Sequence, residues 1–146
     1  MNITQLLKSA AVLLIAAGAW IALEGSPVGA QMSGIDAIKS FDKDGDGTID
    51  LNEAKTAGAA LFDKLDAGRH GVLTNKELGD RVKLWQQALP SPNPFKRFAA
   101  EGNITRDEYL ALIETRFKLA DQEHDGKLDA KELESEAGQA LLKLLQ

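Results

Sequence analysis

The chain has 146 residues, 17 Lys and Arg against 22 Asp and Glu, a net charge of −5 and no cysteine. That length accommodates one ordinary domain. Without cysteine a disulfide framework and a lipid-bearing N-terminal cysteine are excluded, and no basic cluster offers a surface to nucleic acid or an anionic membrane.

Residues 1–30 begin with one early cation, Lys8, and an apolar run from Ala10 to Leu23. A short polar stretch and the small residues Val28, Gly29 and Ala30 follow. This is the layout of a secretory signal peptide cleaved after Ala30, which places the mature chain 31–146 in the periplasm or outside the cell. The apolar run falls short of the ~20 residues a membrane span needs. If it were retained it would make a membrane-anchored form. Its removal takes away only Lys8 and Glu24, so the mature chain still carries −5.

The stretch 42–53, "DKDGDGTIDLNE", places carboxylates at alternate positions, with Asp42, Asp44 and Asp46 first, third and fifth. Gly47 at position 6 permits the sharp turn and Thr48 at 7 offers its backbone carbonyl. Asp50 stands at 9, and Glu53 at 12 closes the shell with two oxygens. This is an all-oxygen cage for a hard cation. Ile49 at position 8 is expected to point inward and pair with a partner loop. The next twelve residues, "AKTAGAALFDKL", are too few for two helices and a turn. They read as one helix with an apolar stripe of Ala54, Ala57, Leu61 and Leu65. Loop 66–77, "DAGRHGVLTNKE", keeps Gly71, Leu73 and Glu77 at positions 6, 8 and 12, but Gly68, His70 and Thr74 replace the acids. His70 with Asp66 and Glu77 makes three ligands for a softer metal, with nothing in the sequence to orient them.

A third helix is expected over 76–89, with Leu78, Val82, Trp85 and Leu89 on one face and Trp85 in the core. "PSPNP" at 90–94 ends it. Loop 97–108 keeps Gly102, Ile104 and Glu108 but carries Arg97 where the first carboxylate belongs. A second single helix over 109–120 bears Leu110, Ile113 and Phe117. Loop 121–132, "DQEHDGKLDAKE", again fills the cage: Asp121, Glu123, Asp125, the carbonyl of Lys127, Asp129 and Glu132, with Gly126 at position 6 and His124 turned to solvent. A last helix over 130–145 carries Leu133, Ala137, Leu141 and Leu144.

Four copies of one frame thus start at 42, 66, 97 and 121, and such repetition decides the fold. The expectation is all-α: a compact helical bundle of fused EF-hands with four loops, two of them degenerate. A single rigid helix between consecutive loops holds them apart. Up-down-up helix order then puts loops 1 and 3 at one end and 2 and 4 at the other, each filled loop beside a blank structural partner. If the chain bends at the prolines, loops 1 and 4 pair instead.

The signal peptide, the shared helices and stretches such as "TIDLNEA", "FDKLD", "NKEL" and "DAKEL" resemble the lanmodulins, small periplasmic lanthanide-binding EF-hand proteins of methylotrophic bacteria. Asp50 and Asp129 at position 9 fit that family. Position 2, where that family carries proline, holds Lys43, Ala67, Phe98 and Gln122. The resemblance implies metal binding, here of two ions, Ca²⁺ or a trivalent lanthanide. A monomer is expected, with no nucleic-acid partner and, once the signal is cleaved, no membrane contact. A calcium sensor acting on a partner protein is the alternative, but its groove is usually Met-rich and the mature chain has only Met32. No cysteine, two loop histidines and no nucleophile–base pattern leave nothing that suggests an enzyme.

Overall fold

The computed structural model describes residues 31–146; the segment 1–30, read above as a signal peptide, lies outside the described residues. Ser33 opens the first helix by accepting the Asp36 N–H at 3.2 Å, and α1 (Gly34–Phe41) runs into the first loop. The short strand β1 (Ile49–Asp50) leads into α2 (Leu51–Leu65), and β2 (Val72–Leu73) into α3 (Asn75–Leu78) and α4 (Arg81–Gln87). After the prolines come α5 (Lys96–Glu101), β3 (Ile104–Thr105) and α6 (Arg106–Ala120). The chain ends with β4 (Lys127–Leu128), α7 (Ala130–Glu134) and α8 (Glu136–Leu144). The protein is all-α apart from these two-residue strands. Among the described residues no helix is long and apolar enough to cross a membrane.

As the spacing predicts, one helix serves two loops. At 15 residues, α2 and α6 are each about 22 Å long, so consecutive loops sit at opposite ends of one rod. The two rods lie antiparallel. Lys55 meets Glu114 at 2.5 Å, Phe62 lies 5.8 Å from Tyr109 between ring centroids, and Asp63 meets Arg106 at 3.4 Å, so numbers rise on one helix as they fall on the other. Gly58 makes the approach this close, because a Cβ there would lie 2.2 Å from Ile113 Cδ1. The buried face of α2 is therefore Ala54, Gly58 and Phe62, with Ala57, Leu61 and Leu65 only partly covered. That of α6 is Tyr109, Leu112, Ile113, Phe117 and Ala120, with Leu110 at its edge.

Antiparallel rods decide between the two pairings left open, against that of up-down-up order and for loop 1 with loop 4. Ile49 pairs with Leu128 and Leu73 with Ile104. Filled loop 42–53 thus sits beside filled loop 121–132, and blank beside blank. The cause is the middle segment, which is not one helix over 76–89. Gly79, at φ 54° and ψ −126°, breaks it into α3 and α4, too short to carry the chain along the whole bundle. Arg116 on α6 fixes the turn that follows: its guanidinium donates to the carbonyls of Ala88 and Leu89, the latter at 2.6 Å. The last helix also differs from expectation. Ser135, at ψ 163°, splits it into α7 and α8 and caps the second piece by accepting the Gly138 N–H at 3.0 Å.

Trp85 is core, as expected, stacked on Tyr109 at 4.6 Å and 9° and tilted against Phe98. Such aromatic pairs add about 0.5–1.5 kcal/mol beyond area burial, which offsets part of the cost of the unpartnered Trp85 Nε1. The Tyr109 hydroxyl donates to the Leu144 carbonyl at 2.5 Å and joins α6 to the end of α8.

Candidate metal centre

Each of the four loops ends in the same reciprocal bond. Asp50, Thr74, Thr105 and Asp129, all at position 9, accept the N–H of the glutamate at position 12, whose side chain accepts the N–H of position 9 in return. This capping box satisfies two otherwise orphaned donors at the start of a helix. It explains why blank loops keep Glu77 and Glu108: the glutamate holds the following helix whether or not an ion is bound.

In loop 42–53 the residue at position 1 organises the turn. Asp42 Oδ1 accepts the Gly45 N–H at 2.7 Å and Oδ2 the Gly47 N–H at 2.9 Å. The Gly47 bond, chiefly, holds the Asp42 carboxyl below its ordinary range. Asp44 accepts from Asp46 N at 3.1 Å, and Asp46 from Thr48 N at 2.9 Å and from its hydroxyl at 2.6 Å. The Asp46 N–H pulls the Asp44 carboxyl down, but partial burial and the charges of Asp46 and Glu53 outweigh it and push Asp44 up. One oxygen each from Asp42, Asp44 and Asp46 lies within 4.8 Å of the others, about the width of a shell of oxygens ~2.4 Å from a hard cation. Glu53, 8% exposed, sits beneath them with Oε1 on the N–H groups of Lys43 and Asp44. Donor type, spacing and mutual repulsion all suit Ca²⁺ or a lanthanide.

Loop 121–132 reproduces the turn. Asp121, 7% exposed, accepts the N–H groups of Asp125 at 3.2 Å and Gly126 at 2.9 Å, and Glu132 accepts that of Gln122 at 2.9 Å. Glu123 is exposed, and the trio Asp121, Glu123 and Asp125 is not gathered within 4.8 Å as its counterpart is; the extra methylene of Glu123 holds its carboxylate further out. His124 is exposed, as expected, on a positive φ of 55°. Lys127 does more than offer a carbonyl. Its ammonium crosses the β1–β4 ribbon and donates to Asp46, and together with the Thr48 bonds it holds that carboxyl down to about 2.

The sequence model of the EF-hand family, described as "EF hand", matches residues 35–55 and 112–135, the two stretches that contain the filled loops. Lanmodulin of Methylorubrum extorquens is 51% identical over 45 residues. The chain carries EF-hands at these two stretches and is similar to lanmodulin over part of its length. The match covers 31% of this chain and 34% of that relative.

Sequence reasoning named the carboxylates of the two filled loops as candidates but missed two devices. The capping boxes were legible as Thr or Asp followed three residues later by Glu. The Lys127–Asp46 contact was not, because residues 81 apart meet only once β1 and β4 pair. Of the blank loops, 97–108 has its cation built in: Arg97 lies 3.7 Å from Glu101, and its charge helps the Thr105 bonds hold the Glu108 carboxyl down.

Proposed function

We propose that the mature chain, residues 31–146 after cleavage at Ala30, is a periplasmic or secreted protein that binds two ions of Ca²⁺ or a trivalent lanthanide. Asp42, Asp44, Asp46, Thr48, Asp50 and Glu53 hold one, and Asp121, Glu123, Asp125, Lys127, Asp129 and Glu132 the other. The observation that carries this reading is the pairing of Ile49 with Leu128, which joins the two carboxylate-rich loops into one module at one end of the bundle. The opposite end, with Leu73 on Ile104, serves as structural support. Each filled loop has five carboxylates, more negative charge than a divalent ion neutralises, and EF-hand affinity rises with ligand charge. A trivalent ion of nearly the size of Ca²⁺ therefore binds tighter, by about a hundredfold, or roughly 2.7 kcal/mol.

Competition calorimetry of Ca²⁺ against La³⁺ on the processed protein tests this. The stoichiometry is two, Asp42→Ala and Asp121→Ala each lose one site, and far-UV circular dichroism gains helix on metal addition. Three or more equivalents of Ca²⁺ or La³⁺ contradict the reading, as does tighter binding of Ca²⁺ than La³⁺. Mass spectrometry of the native protein reads the cleavage after Ala30.

A further inference from the structure

We propose that loop 66–77, blank as a calcium loop, is a separate site for a first-row transition dication of the Zn²⁺ class, held by Asp66, His70 and Glu77. The imidazole of His70 lies between two carboxylates, with Nδ1 3.4 Å from Asp66 Oδ1 and Nε2 3.5 Å from Glu77 Oε1. One donor atom from each residue lies within 4.8 Å of the other two. Closing onto an ion at ~2.0–2.2 Å needs the ring to turn so that one nitrogen faces both carboxylates.

The supports that the sequence alone did not reveal are present. Thr74 donates its N–H at 3.0 Å and its hydroxyl at 2.8 Å to Glu77 Oε2, which leaves Oε1 facing the ring. Asp66 is 7% exposed and anchored by the Gly71 N–H at 2.8 Å and the His70 N–H at 3.1 Å. Outer bonds of this kind orient metal ligands. The His70 side chain is 48% exposed, so an ion has a way in and solvent can complete its shell. Arg106, which lines a cavity together with Asp66, is engaged by Asp63 at 3.4 Å.

The lost calcium ligands and the gained imidazole belong together. A Cβ on Gly68 would lie 2.6 Å from His70 Cδ2 and 2.9 Å from Nε2. Deleting the side chain at position 3 is what lets the one at position 5 fold into the loop. The outcome is one imidazole and two carboxylates, too few oxygens for Ca²⁺ but a donor set that suits Zn²⁺, Ni²⁺ or Cu²⁺.

The test is calorimetric titration of the processed protein with Zn²⁺ after saturation with Ca²⁺, with Co²⁺ as a spectroscopic probe. One further equivalent of Zn²⁺ binds without releasing Ca²⁺, and Co²⁺ develops the visible absorption of a low-coordinate site. His70→Gln weakens Zn²⁺ at least tenfold and leaves the heat and stoichiometry of Ca²⁺ unchanged. Gly68→Ala weakens Zn²⁺ while removing no ligand. Unaltered Zn²⁺ affinity in His70→Gln overturns the proposal, as does Zn²⁺ that enters only by displacing Ca²⁺. So does an absence of Zn²⁺ binding to the Ca²⁺-saturated protein. Because the Ca²⁺ signal is read separately, failure here is distinguishable from failure of the two-ion reading.

Discussion

Leu128→Ala tests whether the two filled loops act as one module. Leu128 and Ile49 face each other across the β1–β4 ribbon, and both are fully buried. Truncating Leu128 removes three carbons from the core, about 2.4 kcal/mol of transfer free energy at ~0.8 kcal/mol per carbon. Residual cavity brings the total to about 3–4 kcal/mol. A domain of this size is stable by about 5–15 kcal/mol, so the variant still folds, and urea denaturation in the presence of a chelator measures the loss. The ribbon sets the positions of both loops, so the ion in loop 42–53 weakens as well as the one in loop 121–132. A tenfold rise in each Kd corresponds to about 1.4 kcal/mol, less than half of what the substitution removes. Leu73→Ala is the control. Leu73 is as deeply buried, but in the β2–β3 ribbon, so it lowers stability by a similar amount and leaves Ca²⁺ and La³⁺ affinities within about threefold. Calorimetry reads both ions. Weakening confined to loop 121–132 in Leu128→Ala, or equal weakening by Leu73→Ala, would falsify the modular reading.

Lys127→Met removes the ammonium that competes with an ion for Asp46 while keeping the position-7 carbonyl. Loop 42–53 should bind La³⁺ about two- to fivefold tighter at low salt, and calorimetry that shows no change or a loss contradicts the competition. Tyr109→Phe leaves the Leu144 carbonyl without its buried donor and should cost about 1–3 kcal/mol; an unchanged denaturation midpoint would mean the bond contributes nothing. Glu114, bonded to Lys118 and Lys55, is held down to about 2 from an ordinary value of 4.5. Its folded value is depressed, so its contribution is full above pH 4.5 and disappears as the pH falls towards 2. Glu114→Gln should lower stability at neutral pH and flatten the stability profile over that acid range, which thermal denaturation at stepped pH reads directly.

Local pattern accounts for what was legible beforehand. Each filled frame carries its carboxylates, its turn glycine and its inward residue at position 8 within one short stretch, so the candidates from Asp42 to Glu53 and from Asp121 to Glu132 could be named one residue at a time. The single helices between loops followed from length alone, because the chain between Glu53 and Asp66 has no room for two. Interruptions were harder to see. Gly79 and Ser135 sit within apolar periodicity that reads as continuous helix, and only the neighbouring structure decides whether a lone Gly or Ser is tolerated or becomes a break.

What the sequence by itself determined is therefore the inventory: four frames, two filled and two blank, on an all-α scaffold with one helix shared by each consecutive pair. What only the tertiary structure decided is the partnership. Whether α2 and α6 run parallel or antiparallel depends on how the short, broken segment between them turns the chain. That one sense of direction determines that filled loop meets filled loop, that Lys127 reaches Asp46, and that the blank loops share the far end. The approach of His70 to Asp66 and Glu77 is of the same kind. Spacing names the residues, but a ring can turn inward or outward on the same backbone. The room left by Gly68 and the hold of Thr74 on Glu77 turn three nearby residues into a constellation.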